Sequence, residues 1–287
     1  MCASRPCRSW RRGKSISSVS SSSGGFVNPH STPREIRETI RKGQWARPTS
    51  GLAPAFAQAN LVILDRSLAF EFLLFCVRNP KPCPILEIME PGVWEPRITA
   101  PGADIRTDVP LYRVWEQGEL LAETPDITAH WHDSLVTFLL GCSFSFESAL
   151  MAAGIPVRNI EEGRNVSMYT TNRPCIPAGP FSAPLVVSMR PIPNDLVVRA
   201  VQVTSRYASV HGAPVHIGDG TALGIRDLEK PDFGDPVTIH EGETPVFWAC
   251  GVTSSLAVLS ARPDLCLTHS PGHMFITDSP NESWAVI

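Results

Sequence analysis

Residues 245–254 read Pro245-Val246-Phe247-Trp248-Ala249-Cys250-Gly251-Val252-Thr253-Ser254. The apolar run predicts a strand over Val246–Cys250, and Gly251 permits a tight turn after it. Thr253 or Ser254 is then the cap of a helix that we expect over 254–261. A strand that passes directly into a helix is the building unit of α/β proteins, so this segment predicts that class.

The same alternation of strands and helices continues through the rest of the chain. Hydrophobic periodicity and capping signals predict helices over 33–42, 66–78, 132–140, 145–153 and 194–206. Strands are predicted over 84–89, 185–189, 215–217, 237–240, 265–268 and 274–277, with a hairpin over 112–121 around Gln117-Gly118. The pattern favours an α/β fold of mixed sheets with flanking helices.

The composition bounds the function. The chain has 287 residues, 43% of them hydrophobic and 18% charged, with a formal net charge of −3. This is enough apolar material for a real core, and it excludes a mainly disordered chain or a coiled coil. No broad basic field is present to hold nucleic acid. The longest apolar stretches, such as Leu68–Val77, are too short to cross a bilayer, so we expect no membrane span.

Residues 1–31 differ from the rest of the chain. They contain five basic residues, no acidic residue and the serine run Ser20–Ser23. This composition is typical of a segment that targets a protein to the mitochondrial matrix. A disordered tail or a wrongly assigned start is the alternative, and the protein would then be cytoplasmic. The remaining body, 32–287, has 20 basic and 28 acidic residues and is therefore acidic.

The eight cysteines do not form a recognisable framework. None belongs to a C-x-x-C pair, which argues against a zinc ribbon or a thioredoxin-like motif. A chain of this size does not need disulfides, and no secretory signal is evident. We expect thiols in a reducing compartment, most of them buried as small apolar side chains.

Gly141–Glu147 is the first of four segments in which polar residues follow an apolar run. A glycine turn followed by serines can start a helix, and the free N–H groups there attract a carboxylate. Glu147 would lie in the first turn. It is either an acid–base group or a residue that only complements the helix dipole.

The second segment runs from His211 to Gly220. Two imidazoles and the Asp219 carboxylate lie within nine residues and could serve as acid–base groups. His211 and His216 are five residues apart, so on one continuous strand they would point to opposite faces. This spacing weakens the case for a metal site.

The last two segments follow the strands that end near Cys250 and Thr268. Cys250 is either a nucleophile at a helix N-terminus or a buried thiol, and the N–H groups after Gly251 are the better candidates for binding. His269 and His273 are four apart, but Pro271-Gly272 argues against the helix that a metal pair would need. We expect a loop that presents one or both imidazoles, without a metal.

Matches along nearly the whole body show that the chain resembles the D-glutamate cyclase family, also called the "putative hydro-lyase" family. The stretches that carry the resemblance are 47–54, 58–61, 78–84, 104–110, 141–147, 162–166, 188–191, 211–219, 231–235, 247–253 and 268–274. The resemblance implies a two-part α/β fold, which we expect as two intertwined subdomains, and a lyase that needs no organic cofactor. It also implies the conversion of D-glutamate to 5-oxo-D-proline with loss of water.

That reaction suggests roles for the residues above. We expect Arg190 and Asn172 to bind the α-carboxylate of the substrate. Glu147, His211, His216 and Asp219 form the acid–base pool, while Cys250, Gly251, Thr253, His269 and His273 face the γ-carboxyl. We expect a small-molecule substrate as the partner, and the sequence does not decide whether the protein forms a homo-oligomer. The alternatives are a hydro-lyase for another small carboxylic acid and a carboxylate-binding protein without activity.

Overall fold

The computed structural model describes residues 28–29 and 31–286. The leader expected over 1–31 therefore lies almost entirely outside the described residues. The described chain opens with helix α1, Pro33–Arg41, which has the expected capping box between Thr32 and Glu35. The Thr32 side chain accepts from the Glu35 N–H, and the Glu35 carboxylate accepts from the Thr32 N–H. These bonds satisfy free donors at the helix start and fix where the helix begins.

Six α-helices are present in the described part of the chain. After α1 they are α2 (Arg66–Arg78), α3 (Phe144–Ala152), α4 (Arg158–Glu161), α5 (Val197–Ser205) and α6 (Val252–Ala261). Short 3-10 turns occur at 128–130, 194–196, 208–210, 220–223 and 281–284. None of the described helices is long and apolar enough to cross a membrane.

The larger sheet has seven strands. They are β1 (Phe56–Asp65), β2 (Ile85–Ile88), β3 (Tyr112–Glu116), β4 (Glu119–Thr124), β5 (Leu135–Gly141), β10 (Cys266–His269) and β11 (Phe275–Pro280). The order across the sheet is β2-β5-β1-β10-β3-β4, and β11 also pairs with β1. The pairs are antiparallel. Strand β1 therefore lies at the centre, between β5 and β10.

The smaller sheet is built from the chain that lies between β5 and β10. Its strands are β6 (Ser167–Pro174), β7 (Pro184–Pro193), β8 (His216–Ile217) and β9 (Glu243–Ala249). They pair antiparallel in the order β6-β7-β9-β8. The predicted α/β class, with sheets and flanking helices, is confirmed.

The large sheet is buried on both faces at its centre, around β1 and β5. On one face Leu61 and Ile63 of β1 pack in a core that also contains Phe146 of α3 and Trp248 of β9. On the other face Val62 packs in a core with side chains of α2, β5 and α6. Since successive residues of a strand point to opposite sides, β1 contributes to both cores. The first core is where the two sheets meet.

The helix predicted over 132–140 is wrong, because this segment forms β5. Every residue of β5 is buried, since the strand lies between β1 and β2 and is covered on both faces. Such a strand has a continuous apolar run, which periodicity alone does not distinguish from a buried helix. The same property explains why β1 was not predicted.

The strand predicted over 237–240 is also wrong, because this segment has no regular structure. The Thr238 N–H donates to Glu162 and the Thr238 carbonyl accepts from Arg158. These side chains satisfy the backbone groups that a neighbouring strand would otherwise pair. The predicted hairpin is confirmed, with Gln117 and Gly118 both at positive φ in the turn between β3 and β4.

Candidate active site

Two strands of different sheets end in similar turns. Strand β5 ends at Gly141 and α3 begins at Phe144, while β9 ends at Ala249 and α6 begins at Val252. Each turn contains a cysteine, Cys142 or Cys250, and the two thiols pack in one apolar cluster with Phe144 and Val252. The N-terminal ends of α3 and α6 therefore lie close together, and in the second turn the N–H groups of Thr253 and Ser254 donate to the carbonyls of Cys250 and Gly251.

A buried arginine lies beside these turns. Arg190 of β7 is 0% exposed, and its Nη2 lies 2.6 Å from Oε1 of Glu147 in the first turn of α3. Its Nε donates to the same oxygen at 3.2 Å. Nη2 and Nη1 also donate to the hydroxyls of Ser143 and Ser188, at 3.1 and 3.2 Å. The ion pair is therefore hydrogen-bonded on several sides, as a buried pair requires.

Two aromatic rings flank the guanidinium. Its central carbon lies 5.4 Å from the ring centroid of Phe146 and 5.7 Å from that of Trp248. The electron-rich faces of aromatic rings attract a cation, and the effect is strongest where water is excluded. Arg190 is therefore held in place by rings as well as by hydrogen bonds.

Glu147 is the acidic member of the pair. Its Oε2 accepts from the Ser50 hydroxyl at 3.3 Å, and the Asn159 amide donates to that same hydroxyl oxygen at 3.4 Å. Burial raises the pKa of Glu147, while the charge and hydrogen bonds of Arg190 oppose the rise. Burial and the Arg190 charge thus act on the pKa of Glu147 in opposite directions, and burial is the larger effect.

His211 lies in the same region and is 1% exposed. Its Nδ1 donates to the Lys81 carbonyl at 2.8 Å, because a carbonyl oxygen can only accept. Burial lowers the pKa of His211 to about 4, and the charges of Lys81 and Arg190 act in the same direction. His211 is therefore a neutral imidazole at neutral pH. Its buried Nε2 makes no direct hydrogen bond with the described residues, although the Gly141 carbonyl lies close enough to the ring to raise its pKa.

Gly251 allows β1 to approach the start of α6. The Asn60 amide donates to the Gly141 carbonyl at 2.7 Å. A Cβ on Gly251 would overlap with the Asn60 amide. Only glycine leaves room for this side chain, which spans the turns before α3 and α6.

Cys250 and Thr253 are held by neighbouring groups. Burial raises the pKa of the Cys250 thiol to about 11, so the thiol is protonated at neutral pH. Its Sγ lies 3.5 Å from Sδ of Met168. Thr253 Oγ1 accepts from the Val186 N–H at 2.9 Å, which fastens α6 to β7.

His216 and Asp219 do not join this cluster. His216 packs against Phe247, with 5.7 Å between ring centroids, whereas Arg190 packs against Trp248. Phe247 and Trp248 are consecutive in β9 and point to opposite faces of the small sheet. Asp219 is exposed and caps the turn at 220–223 through the Thr221 N–H. The predicted acid–base pool is thus divided between two faces.

Asn172, His269 and His273 also lie apart from the ion pair. Asn172 is exposed near the end of β6. His269 Nδ1 accepts from the Leu61 N–H at 3.1 Å, and burial lowers its pKa to about 4. It lines a separate cavity of about 30 Å³ that Val252 also lines. His273 is half-buried in the loop that follows β10.

The space next to Glu147 is small. It has a volume of about 10 Å³, which is room for one water molecule. A surface groove of about 690 Å³ adjoins it, since Pro54 and Ser148 line both spaces. Within the described part of the chain, no group of three or more His, Cys, Asp or Glu side chains is placed to hold a metal ion.

Sequence reasoning did not select Ser50, Ser143, Ser188 or Asn159. Ser143 and Ser188 lie in segments that the family resemblance marks, four residues before Glu147 and two residues before Arg190 respectively. Asn159 carries no local signal, because its contact with Ser50 spans 109 positions of sequence. Only the fold brings it to Glu147.

Comparison with known proteins identifies one matching family and several similar proteins that share a name. The sequence model of the D-glutamate cyclase family matches residues 136–278. A protein of Syntrophobacter fumaroxidans is 71% identical over 256 residues, covering 89% of this chain and 98% of its own. One of Geobacillus kaustophilus is 60% identical over 262 residues, covering 91% and 99%. One of Bacillus subtilis is 57% identical over 255 residues, covering 89% and 99%. Each carries the name "putative hydro-lyase".

These relatives are bacterial, so they give no support to the mitochondrial targeting expected from residues 1–31. Among solved structures, a nitrogen repressor-like protein of Methanococcus jannaschii covers 85% of this chain and 97% of its own with a TM-score of 0.36 and 6% identity. That similarity is too low to assign a shared fold. The family match and the relatives' names support a lyase. Identities of 57–71% over most of both chains show that this protein belongs to the D-glutamate cyclase family.

Proposed function

We propose that this protein is a hydro-lyase that converts D-glutamate to 5-oxo-D-proline and water. In this reaction the α-amine attacks the γ-carboxyl carbon of the same molecule, a C–N bond forms and a C–O bond breaks. Two protons move from the nitrogen to the departing oxygen, which leaves as water. The site must therefore fold the substrate, carry two protons and stabilise a tetrahedral oxyanion.

The observation that carries this proposal is the buried ion pair between Arg190 and Glu147. Arg190 binds the α-carboxylate of the substrate, with Ser143 and Ser188 at its remaining donors. A ligand carboxylate at Arg190 takes over part of its interaction with Glu147. Because burial raises the pKa of Glu147 and Arg190 opposes that rise, losing this interaction raises the pKa further. Glu147 then accepts a proton from the α-ammonium group, which is attached to the same carbon.

His211 carries the second proton. Its Nε2 is buried, makes no direct hydrogen bond with the described residues, and accepts a proton from the nitrogen once the C–N bond has formed. Both carriers then deliver protons to the departing oxygen. We assign the oxyanion to the N–H groups at the start of α6, after Gly251, which exchange their present acceptors, the Cys250 and Gly251 carbonyls, for the substrate oxygen.

Substrate entry requires movement in this scheme. D-glutamate is much larger than the one water that fits beside Glu147. The loop 50–54 and α3 therefore separate as the substrate arrives from the adjoining groove. The closed site excludes water, which strengthens every electrostatic interaction inside it.

Incubation of the purified protein with D- and L-glutamate, with 5-oxoproline read by chiral chromatography, tests this proposal. His211→Ala and His216→Ala form a matched pair, because the two imidazoles lie on different faces of the small sheet. We expect His211→Ala to lower kcat by about 100-fold or more, as loss of an acid–base group does, and His216→Ala to keep it. Equal losses would contradict the assignment of His211.

The name shared by the relatives favours one alternative, a hydro-lyase for another small carboxylic acid. Incubation with a panel of such acids, followed by mass spectrometry to detect the loss of water from each, distinguishes this alternative from D-glutamate cyclisation. Turnover of another acid without 5-oxoproline would replace D-glutamate as the substrate. Tight binding of D-glutamate without any product would indicate a binding protein.

A further inference from the structure

Asn159 is a buried amide whose oxygen is left without a partner next to the proposed site. It lies in α4 and is 2% exposed. Its Nδ2 donates to the Ser50 hydroxyl at 3.4 Å. Its Oδ1 has no hydrogen-bond partner anywhere in residues 28–29 and 31–286. A buried acceptor without a partner is unfavourable, so a donor that reaches this atom gains a hydrogen bond without displacing another one.

The orientation of the amide follows from its neighbours. Burial raises the pKa of Glu147, and among the groups that oppose this rise are Arg190, Ser50 and the Asn159 amide. The NH₂ group therefore faces the carboxylate and the hydroxyl oxygen. Rotating the amide by half a turn would place its oxygen against the carboxylate, which is unfavourable. Oδ1 therefore accepts from neither the Ser50 hydroxyl nor any other described group.

The short helix that carries Asn159 is fixed by the residue before it. Arg158 Nη2 lies 2.6 Å from Oε1 of Glu243, and Nη1 donates to the Thr238 carbonyl at 3.0 Å. The side chains of this ion pair are 9% and 7% exposed. Asn159 is therefore held on a rigid support, as a residue that positions a ligand should be.

We propose that Asn159 Oδ1 accepts a hydrogen bond from the α-ammonium group of the substrate. This inference rests on the proposed function and assigns the recognition of the amino group, which that proposal left open. Glu147 contacts Arg190 on one side and Ser50, next to Asn159, on the other. A substrate carboxylate bound to Arg190 and a substrate ammonium group bound to Asn159 and Glu147 can therefore be attached to the same α-carbon. Asn159 makes the site selective for an amino diacid over a plain diacid.

Glutarate tests this selectivity, because it has both carboxylates of glutamate but no amine. Dissociation constants for D-glutamate and glutarate are measured by calorimetry with the wild-type protein and with Asn159→Ala. We expect wild type to bind glutarate at least 10-fold more weakly than D-glutamate. Asn159→Ala should weaken the binding of D-glutamate about 10- to 100-fold, the range for one lost hydrogen bond to a charged group. It should weaken the binding of glutarate less than about 2-fold.

Thr137→Val is the matched control. Thr137 is also fully buried, its hydroxyl oxygen also lacks a partner in the described residues, and it lies in β5 with no role in the site. This substitution should leave both dissociation constants unchanged. If Asn159→Ala does not fold, Asn159→Ser replaces it with the same expected pattern.

The outcomes separate this inference from the proposed function. Equal losses for both ligands, or no loss for either, would overturn the role of Asn159 and indicate a structural residue. Equal affinity of wild type for D-glutamate and glutarate would overturn it without any variant. Formation of 5-oxo-D-proline by wild type with an unchanged KM in Asn159→Ala would overturn this inference alone. Absence of the product in wild type would remove both.

Discussion

Breaking the buried ion pair from each side should give two different results. Glu147→Gln keeps the shape of the side chain but leaves the charge of Arg190 uncompensated. Arg190→Met removes the charge and leaves the Glu147 carboxyl. The two residues have side-chain exposures of 3% and 0%, so neither charge can be hydrated in place. The difference arises because a carboxyl can take up a proton, whereas a guanidinium cannot lose one.

Removing one partner of a buried pair costs about 3–5 kcal/mol in the free energy of unfolding. For Glu147→Gln we expect about 3 kcal/mol, at the lower end, because Ser143, Ser188 and two aromatic rings still contact Arg190. This cost should not depend on pH near neutrality, since no group at the site then titrates.

The cost of Arg190→Met should depend on pH. Burial already raises the pKa of Glu147 above its ordinary value of 4.5, and without Arg190 the folded-state pKa rises further. Between 4.5 and that raised value, the folded protein binds more protons at this site than the unfolded chain. The free energy of unfolding therefore falls as pH rises through this window, by up to about 1.4 kcal/mol per pH unit. Below the window the carboxyl is neutral in both states and stability is retained.

Urea denaturation followed by tryptophan fluorescence measures these costs across a pH series. Asp108→Asn is the control, since Asp108 is 0% exposed, pairs with Arg41 at 2.7 Å and lies away from the site. It should lower stability while leaving the turnover of the folded protein intact. A cost below about 1 kcal/mol for Glu147→Gln, or a pH-independent cost for Arg190→Met, would refute the reasoning.

Three further predictions follow from the packing around the site. Acid should destabilise the protein through His211 and His269. Burial lowers both pKa values from 6.5 to about 4, so the unfolded chain binds more protons in that window and stability falls as pH drops through it. Urea denaturation of His269→Asn should show a shallower pH dependence, and an unchanged one would contradict this origin. Cys250→Ser should keep turnover, because a pKa of about 11 leaves the thiol protonated; rapid inactivation of wild type by iodoacetamide at neutral pH would contradict it. Gly251→Ala should cost about 1–3 kcal/mol by overlap with the Asn60 amide, and adding Asn60→Ala should recover most of it in thermal denaturation. A cost that persists in the double variant would place the strain elsewhere.

The sequence predicted the elements whose ends carry local signals. The capping box before α1 and the positive-φ turn between β3 and β4 are each decided by a few neighbouring residues, and both were predicted. Strands β1 and β5 are decided instead by burial on both faces of the sheet. An apolar run indicates that a segment is buried, but the conformation of that segment depends on neighbours that are distant in sequence.

The candidate site shows the same limit. Family motifs predicted Glu147, Arg190 and His211; the fold pairs the first two, and the charge of Arg190 lowers the pKa of His211. The sequence placed His211 and His216 in one acid–base pool, although their spacing already predicted opposite faces; in the structure His211 and Gly212 are both at positive φ and the imidazoles lie apart. Short distance along the chain is thus a weak guide once a turn intervenes. Asn159 had no sequence signal because its partner lies 109 residues away.

The ion pair also connects the two sheets of the protein. Arg190 belongs to the small sheet, and Glu147 belongs to the helix that follows β5 of the large sheet. Burying this guanidinium is unfavourable, and its interaction with Glu147 compensates that cost when the chain folds. In the proposed mechanism, a substrate carboxylate at Arg190 meets donors that are already dehydrated and oriented. Glu147 then loses part of its counter-charge, which raises its pKa further. The proposal thus derives carboxylate binding and base activation from one structural contact.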